Sequence, residues 1–123
     1  MENYGKELIL DLHECNEITF TRESITEYFK ILCEKIDMTR ADLHFWDDLD
    51  TPEELKETLP HLVGTSAIQF IKTSNVTIHT LDIMKRVYLN IFSCKDFDPK
   101  VAEEFSLEWF GGKTIQSTVV DRI

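Results

Sequence analysis

The feature that most restricts the fold is a run of three strands with no helix between them. Residues 66–72, Ser-Ala-Ile-Gln-Phe-Ile-Lys, read as the first. A polar break at Thr73-Ser74-Asn75 leads into the second, Val76-Thr77-Ile78-His79-Thr80, which alternates strictly. Val76, Ile78 and Thr80 fall on one face and Thr77 and His79 on the other, because successive side chains of a strand point to opposite sides. Arg86 to Cys94 is the third, where Val87, Leu89 and Ile91 alternate with Tyr88, Asn90 and Phe92. Runs of strands with the helices outside them predict an α+β fold, a two-layer sandwich of mainly antiparallel sheet with helices packed on one face.

The flanking segments supply the helices. Residues 7–12 read as a strand near the N-terminus. Thr21 is placed to cap a helix running to about Asp37, whose Ile25, Phe29, Leu32, Cys33 and Ile36 recur at three- and four-residue spacing as one buried stripe. Cys33 is therefore read as core packing. Residues 41–46 form a short strand broken by Asp47, Asp48 and Asp50. Thr51-Pro52-Glu53-Glu54 has a threonine cap, a proline at the first helical position and a glutamate three residues after the cap. It predicts a short helix ending by Pro60, with Leu55, Leu59 and Leu62 near one face. Asp98-Pro99 opens a second long helix carrying Val101, Ala102 and Phe105 inward, and Gly111-Gly112 ends it. Residues 114–120 make a last strand. With 123 residues and no repeat or linker, the chain reads as a single domain, 1–123.

Charge and cysteine usage exclude several function classes. The net charge is −10, from 23 acidic and 13 basic residues, and no basic patch is visible, which argues against nucleic acid. An acidic surface chiefly keeps a protein soluble, and it also attracts a cationic substrate. Cys15, Cys33 and Cys94 are too few and too scattered for a disulfide framework, and no CxxC or CxxH pair suggests a structural zinc. No metal is expected. Met1 to Gly5 lacks the pattern of a signal peptide, and no apolar run approaches membrane-spanning length. A cytoplasmic protein with no membrane partner is expected.

Ser74, His79 and Cys94 are the residues able to carry chemistry. All three fall at or beside the ends of adjacent strands, so a hydroxyl, an imidazole and a thiol are expected to meet at one end of the sheet. A hydrolase or a Cys–His protease fits this set less well. No G-x-S-x-G elbow and no acidic partner for His79 are evident, and Cys94 lies on a strand, away from any helix N-terminus that would lower its pKa.

Ser74-Asn75-Val76-Thr77-Ile78-His79-Thr80, followed by Ile91-Phe92-Ser93-Cys94, resembles the processing and active-site region of the small prokaryotic S-adenosylmethionine decarboxylases. That family has Ser-His-x-Ser/Thr-Ile-His-Thr followed at a set distance by Phe-Thr-Cys. Gly64-Thr65-Ser66 resembles its upstream Gly-x-Ser, and Gly5-Lys6-Glu7-Leu8 through Glu14-Cys15 its N-terminal segment. Asp98-Pro99-Lys100-Val101-Ala102 resembles its Asp-Pro-x-Lys-Ala helix start. The resemblance runs in order over nearly the whole chain. Three positions depart from it: Thr73 replaces a glutamate, Asn75 a histidine, and Leu81-Asp82-Ile83 a Trp-Pro-Glu whose glutamate sits in the substrate pocket.

The resemblance implies a proenzyme that cuts itself between Thr73 and Ser74. The serine hydroxyl attacks the carbonyl of Thr73 to give an ester, and elimination turns Ser74 into a pyruvoyl group. That ketone forms a Schiff base with a substrate amine and acts as electron sink for decarboxylation. It implies that His79 and Ser66 assist the cut, that Cys94 is the general acid that protonates the product carbon, and that Trp46 stacks on adenine. S-adenosylmethionine decarboxylation for polyamine (spermidine) synthesis is the leading expectation. The same chemistry on another amine such as ornithine or arginine, and an uncleaved inactive homologue with a binding or regulatory role, are the alternatives. A homodimer with sites near the interface is implied as well.

Overall fold

Every second side chain of the central strands is buried, and this single-sided burial sets the architecture. The computed structural model describes residues 3–123. Its strands are β1 (Gly5–His13), β2 (Arg40–Trp46), β3 (Gly64–Ile71), β4 (Ser74–Leu81), β5 (Arg86–Ser93) and β6 (Lys113–Arg122). Its helices are α1 (Arg22–Lys35) and α2 (Pro99–Phe110). The strands form one sheet in the order β2-β3-β4-β5-β1-β6, and every neighbouring pair is antiparallel. The two-layer α+β sandwich expected from the sequence is the fold observed.

Leu8, Leu10 and Leu12, with Val76 and Ile78 and with Val87, Leu89 and Ile91, point to the helices and are fully or almost fully buried. Each such side chain contributes roughly 1.5–3 kcal/mol by leaving water. α1 presents Ile25, Phe29, Leu32, Cys33 and Ile36 to them, the stripe read from the sequence. Thr21 caps α1 by accepting a hydrogen bond from Ser24 N at 3.1 Å, and Asp98 caps α2 by accepting one from Lys100 N at 2.9 Å. Tyr28 locks the helices together: its ring stacks on Phe105 and its hydroxyl bonds Ser106 Oγ at 2.6 Å.

Two expectations are corrected. α2 turns Ala102, Ser106 and Phe110 inward, and Val101 stays exposed. The period of four puts Val101 one residue off the buried line. The short helix over 51–60 is reduced to a single 3₁₀ turn, Glu53–Leu55. Pro52 sits at ψ 143° and no side chain caps the turn. Leu55, Leu59 and Leu62 are exposed, so no buried face offsets the cost of nucleating a helix. Residues 47–63 are instead a loop carried at the end of β2.

The opposite face of the sheet has no helix on it. β2 bulges between Arg40 and Leu43, and the buried Gln69 mends the gap by donating through Nε2 to Ala41 O at 3.0 Å and Asp42 O at 3.3 Å. Beyond the bulge β2 stays in register, with Trp46 opposite Ser66.

Candidate active site

Ser74 stands where the β3–β4 hairpin turns, immediately after Lys72-Thr73. Across the ladder its partner is Ser93, so Cys94 follows directly on the neighbouring strand. The Cys94 backbone N–H donates to the carbonyl oxygen of Thr73 at 3.1 Å. The Thr73 side chain turns inward, its Oγ1 bonding Ser93 Oγ at 2.8 Å. The peptide carbonyl before Ser74 is thus held by a main-chain donor, and the residue before it is anchored from below. Ser74 itself has φ 156°, at the margin of a region that L residues rarely adopt. Cys94 is exposed, and its thiol, close to the Tyr4 hydroxyl, pushes that phenol above its ordinary value. Gly5 admits this packing: a Cβ there would lie 2.2 Å from Ser93 O.

A second cluster sits at the other end of β4. Ser66 Oγ and His79 Nδ1 are 2.8 Å apart. They belong to a straight row across four strands on the open face, because Trp46 opposes Ser66, Ser66 opposes His79 and His79 opposes Tyr88. Gly64 permits this register, since a Cβ there would come within 1.7 Å of Thr80 O. The row borders a cleft of about 500 Å³ that the 47–63 loop closes on one side with Asp48 and Glu57. A more apolar hollow of about 350 Å³ lies on the other side of Trp46, lined also by His44 and Ile68. Trp46 is 83% exposed, so its ring is free to stack.

Below the cleft Arg22 grips Asp47 with two hydrogen bonds of 2.7 Å, and the guanidinium holds that carboxyl below its ordinary value. This ties the start of α1 to the base of the loop.

The sequence expectation of one meeting place is corrected within a single chain. Ser74 and Cys94 share one end of the sheet, and His79 lies five positions further along β4, with Ser66 beside it. At ~3.3 Å per residue the two clusters are about 17 Å apart. Ile83, at the position of the family glutamate, lies in the turn after β4, 56% exposed and outside the cleft. Sequence reasoning missed Tyr88 and Glu57. Tyr88 was visible only as an open-face strand residue, and nothing in the local sequence marks Glu57.

The remaining chemistry is sparse. Burial pushes the Cys15 and Cys33 thiols up to about 11. Among the described residues no His, Cys, Asp and Glu side chains form a group of three or more able to hold a metal ion. No described helix is long and apolar enough to cross a membrane.

Comparison with curated proteins found no match. Among solved structures, the adenosylmethionine decarboxylase from Aquifex aeolicus VF5 superposes with a TM-score of 0.76 at 18% identity, over 99% of this chain and 92% of that one. At that identity the likeness speaks for the fold. The family model described as S-adenosylmethionine decarboxylase matches residues 6–123, taking in both clusters and the hairpin between them. A match over almost the full length shows that this chain belongs to the S-adenosylmethionine decarboxylase family and is a decarboxylase-like enzyme.

Proposed function

We propose that the chain is a proenzyme that cuts itself between Thr73 and Ser74 and then decarboxylates S-adenosylmethionine in the cytoplasm for polyamine synthesis. The observation that carries this is the clamp on the scissile carbonyl. Attack by Ser74 Oγ on the Thr73 carbonyl carbon puts negative charge on an oxygen already facing the Cys94 N–H. A fixed donor aimed at a developing oxyanion is typically among the largest catalytic contributions. The φ of Ser74 lies at the margin of a rarely adopted region, a local strain of the kind that clusters at functional sites.

The attack breaks the peptide C–N bond and leaves Thr73 as an ester on Ser74. Loss of the Ser74 α-proton with departure of the Thr73 carboxylate gives a dehydroalanine, and hydrolysis of its imine tautomer, in which water supplies the ketone oxygen and ammonia leaves, would give the pyruvoyl group. Ser74 fits this role: it carries the hydroxyl, and after the cut it would be a strand terminus. The pyruvoyl group supplies a ketone that draws electrons from the bond to the leaving CO₂. Cys94, exposed at the same end, is the group to deliver a proton to the product carbon. Trp46 is the stacking surface for adenine.

His79 and Ser66 complete the site only if they come from a second copy. In one chain they lie about 17 Å from Ser74 along β4. Two copies packed through their open faces about a two-fold axis perpendicular to β4 run their β4 strands in opposite directions. Each Ser74 then faces the partner copy's Ser66–His79 pair across sheets about 10 Å apart. The exposed Trp46, Ile68 and Phe70 on that face supply apolar contact area for such a dimer.

Intact mass of the purified protein tests the cut. Two fragments split before Ser74, with CO₂ released from S-adenosylmethionine and not from ornithine or arginine, are expected. A chain that stays at 14.4 kDa after long incubation overturns the proposal.

A further inference from the structure

The cleft beside the Ser66–His79 pair has a charge pattern that the family resemblance does not supply. Three carboxylates line it, those of Asp47, Asp48 and Glu57, and no lysine or arginine among the described residues does. One of the three is neutralised and a second is held by the loop's own backbone. Asp47 is neutralised by the two-point grip of Arg22. Asp48 Oδ2 accepts from the Glu57 backbone N–H at 2.7 Å, which folds the loop back over the cleft. The Glu57 side chain makes no hydrogen bond or ion pair among the described residues. One carboxylate with no partner therefore overhangs a cleft bordered by an exposed tryptophan and by the serine–histidine pair.

We propose that Glu57 is a specificity-determining residue that makes this cleft select a positively charged sulfonium over the corresponding uncharged thioether. The inference rests on the S-adenosylmethionine reading above. It assigns to the 47–63 loop the task of sensing charge. Hydrophobic stacking on Trp46 holds a nucleoside whether or not its sulfur is charged. The unpaired carboxylate adds attraction only for the cation, and a wet, exposed carboxylate contributes a modest amount.

The probes are methylthioadenosine and its dimethylsulfonium analogue. They differ by one methyl group and one charge, and neither has the amine or carboxylate needed for turnover. Equilibrium binding to the purified protein is measured by calorimetry. The unchanged protein is expected to prefer the sulfonium probe by about five-fold, the ratio that an exposed ion pair sustains. Glu57→Gln is expected to cut that preference by about half or more while binding the thioether as before, and Glu54→Gln, outside the cleft, to retain it in full. Equal binding of both probes by the unchanged protein, or a preference undiminished by Glu57→Gln, overturns the inference and leaves the proposed function standing. Failure to bind either probe overturns this inference and the substrate reading together. The self-cutting is judged separately by mass.

Discussion

If the site is shared between two copies, two inactive variants should repair each other. Ser74→Ala keeps Ser66 and His79 but lacks the attacking hydroxyl, whereas His79→Ala keeps the hydroxyl but loses its helper. Each alone is expected to remain a single chain of 14.4 kDa. Action of His79 on its own Ser74 would require β4 to leave both neighbours over residues 74–79, which pair with β3 and with β5 throughout. That breaks about ten backbone hydrogen bonds at a net ~1 kcal/mol each. A cost near 10 kcal/mol is comparable to the whole stability of a typical domain, so a route within one chain is closed. Co-expressed in equal amounts, random pairing places about half of the chains in mixed dimers. In each mixed dimer the His79→Ala chain faces an intact Ser66–His79 pair, so about half of the His79→Ala chains should be cut. Intact mass spectrometry separates them from the Ser74→Ala chains. Mixed dimers seen by native mass spectrometry without any cutting would refute the shared site, as would full-rate cutting of His79→Ala alone.

Cys94→Ala should leave the cut largely intact and reduce turnover by at least about a hundred-fold, the ordinary effect of removing a general acid; the opposite pattern in mass and CO₂ assays contradicts the role given to it. In native protein a thiol reagent should modify Cys94 alone, and all three cysteines in denaturant, because Cys15 and Cys33 are buried with thiols raised to about 11. Gly64→Ala should destabilise by roughly 2–3 kcal/mol, since its Cβ would meet Thr80 O at 1.7 Å, and should slow the cut by displacing Ser66 from His79; calorimetry and the mass assay read both. Asp47→Asn should cost about 1 kcal/mol near neutrality, because the Arg22 partner is partly exposed. The Asp47 carboxyl is held below its ordinary 3.8, so its contribution is present above that pH and is lost as pH falls through the lower folded value. The gap between Asp47→Asn and the unchanged protein in urea should therefore close in acid.

The sheet and its helices were legible because their signals are periodic. Strict alternation from Val76 to Thr80 and the stripe from Ile25 to Ile36 each required one side to be buried. The 51–60 segment misled because its start signals are local: Thr51, Pro52 and Glu54 offer a cap, and the leucines that follow are left exposed, with nothing packed over them. The candidate residues Ser74, Ser66, His79 and Cys94 came from short matches at fixed spacing, and those matches carried no information on where the four side chains lie relative to one another. Strand geometry held the clue instead, because five positions along one strand span about 17 Å. The row from Trp46 to Tyr88 depends on cross-strand register, which the bulge of β2 and the tight approach at Gly64 decide and which no single segment reveals. Glu57 reaches the cleft through a loop closed by Asp48, a contact nine residues apart with no periodic trace.

The strand order also governs what the molecule becomes after the cut. Opening the chain between Thr73 and Ser74 would yield one piece holding β1, β2 and β3 and another holding β4, β5 and β6. In the sheet these pieces are interleaved, because β1 lies between β5 and β6 while β3 still clasps β4. Neither piece can slide away without tearing open ladders on both sides of β1, so the nicked protein would persist although no covalent bond joins its pieces. Once unfolded, however, it would need two separate chains to meet and lace themselves together. The native arrangement of the cut protein would thus be reached once, through its uncut precursor, and held afterwards by a kinetic barrier.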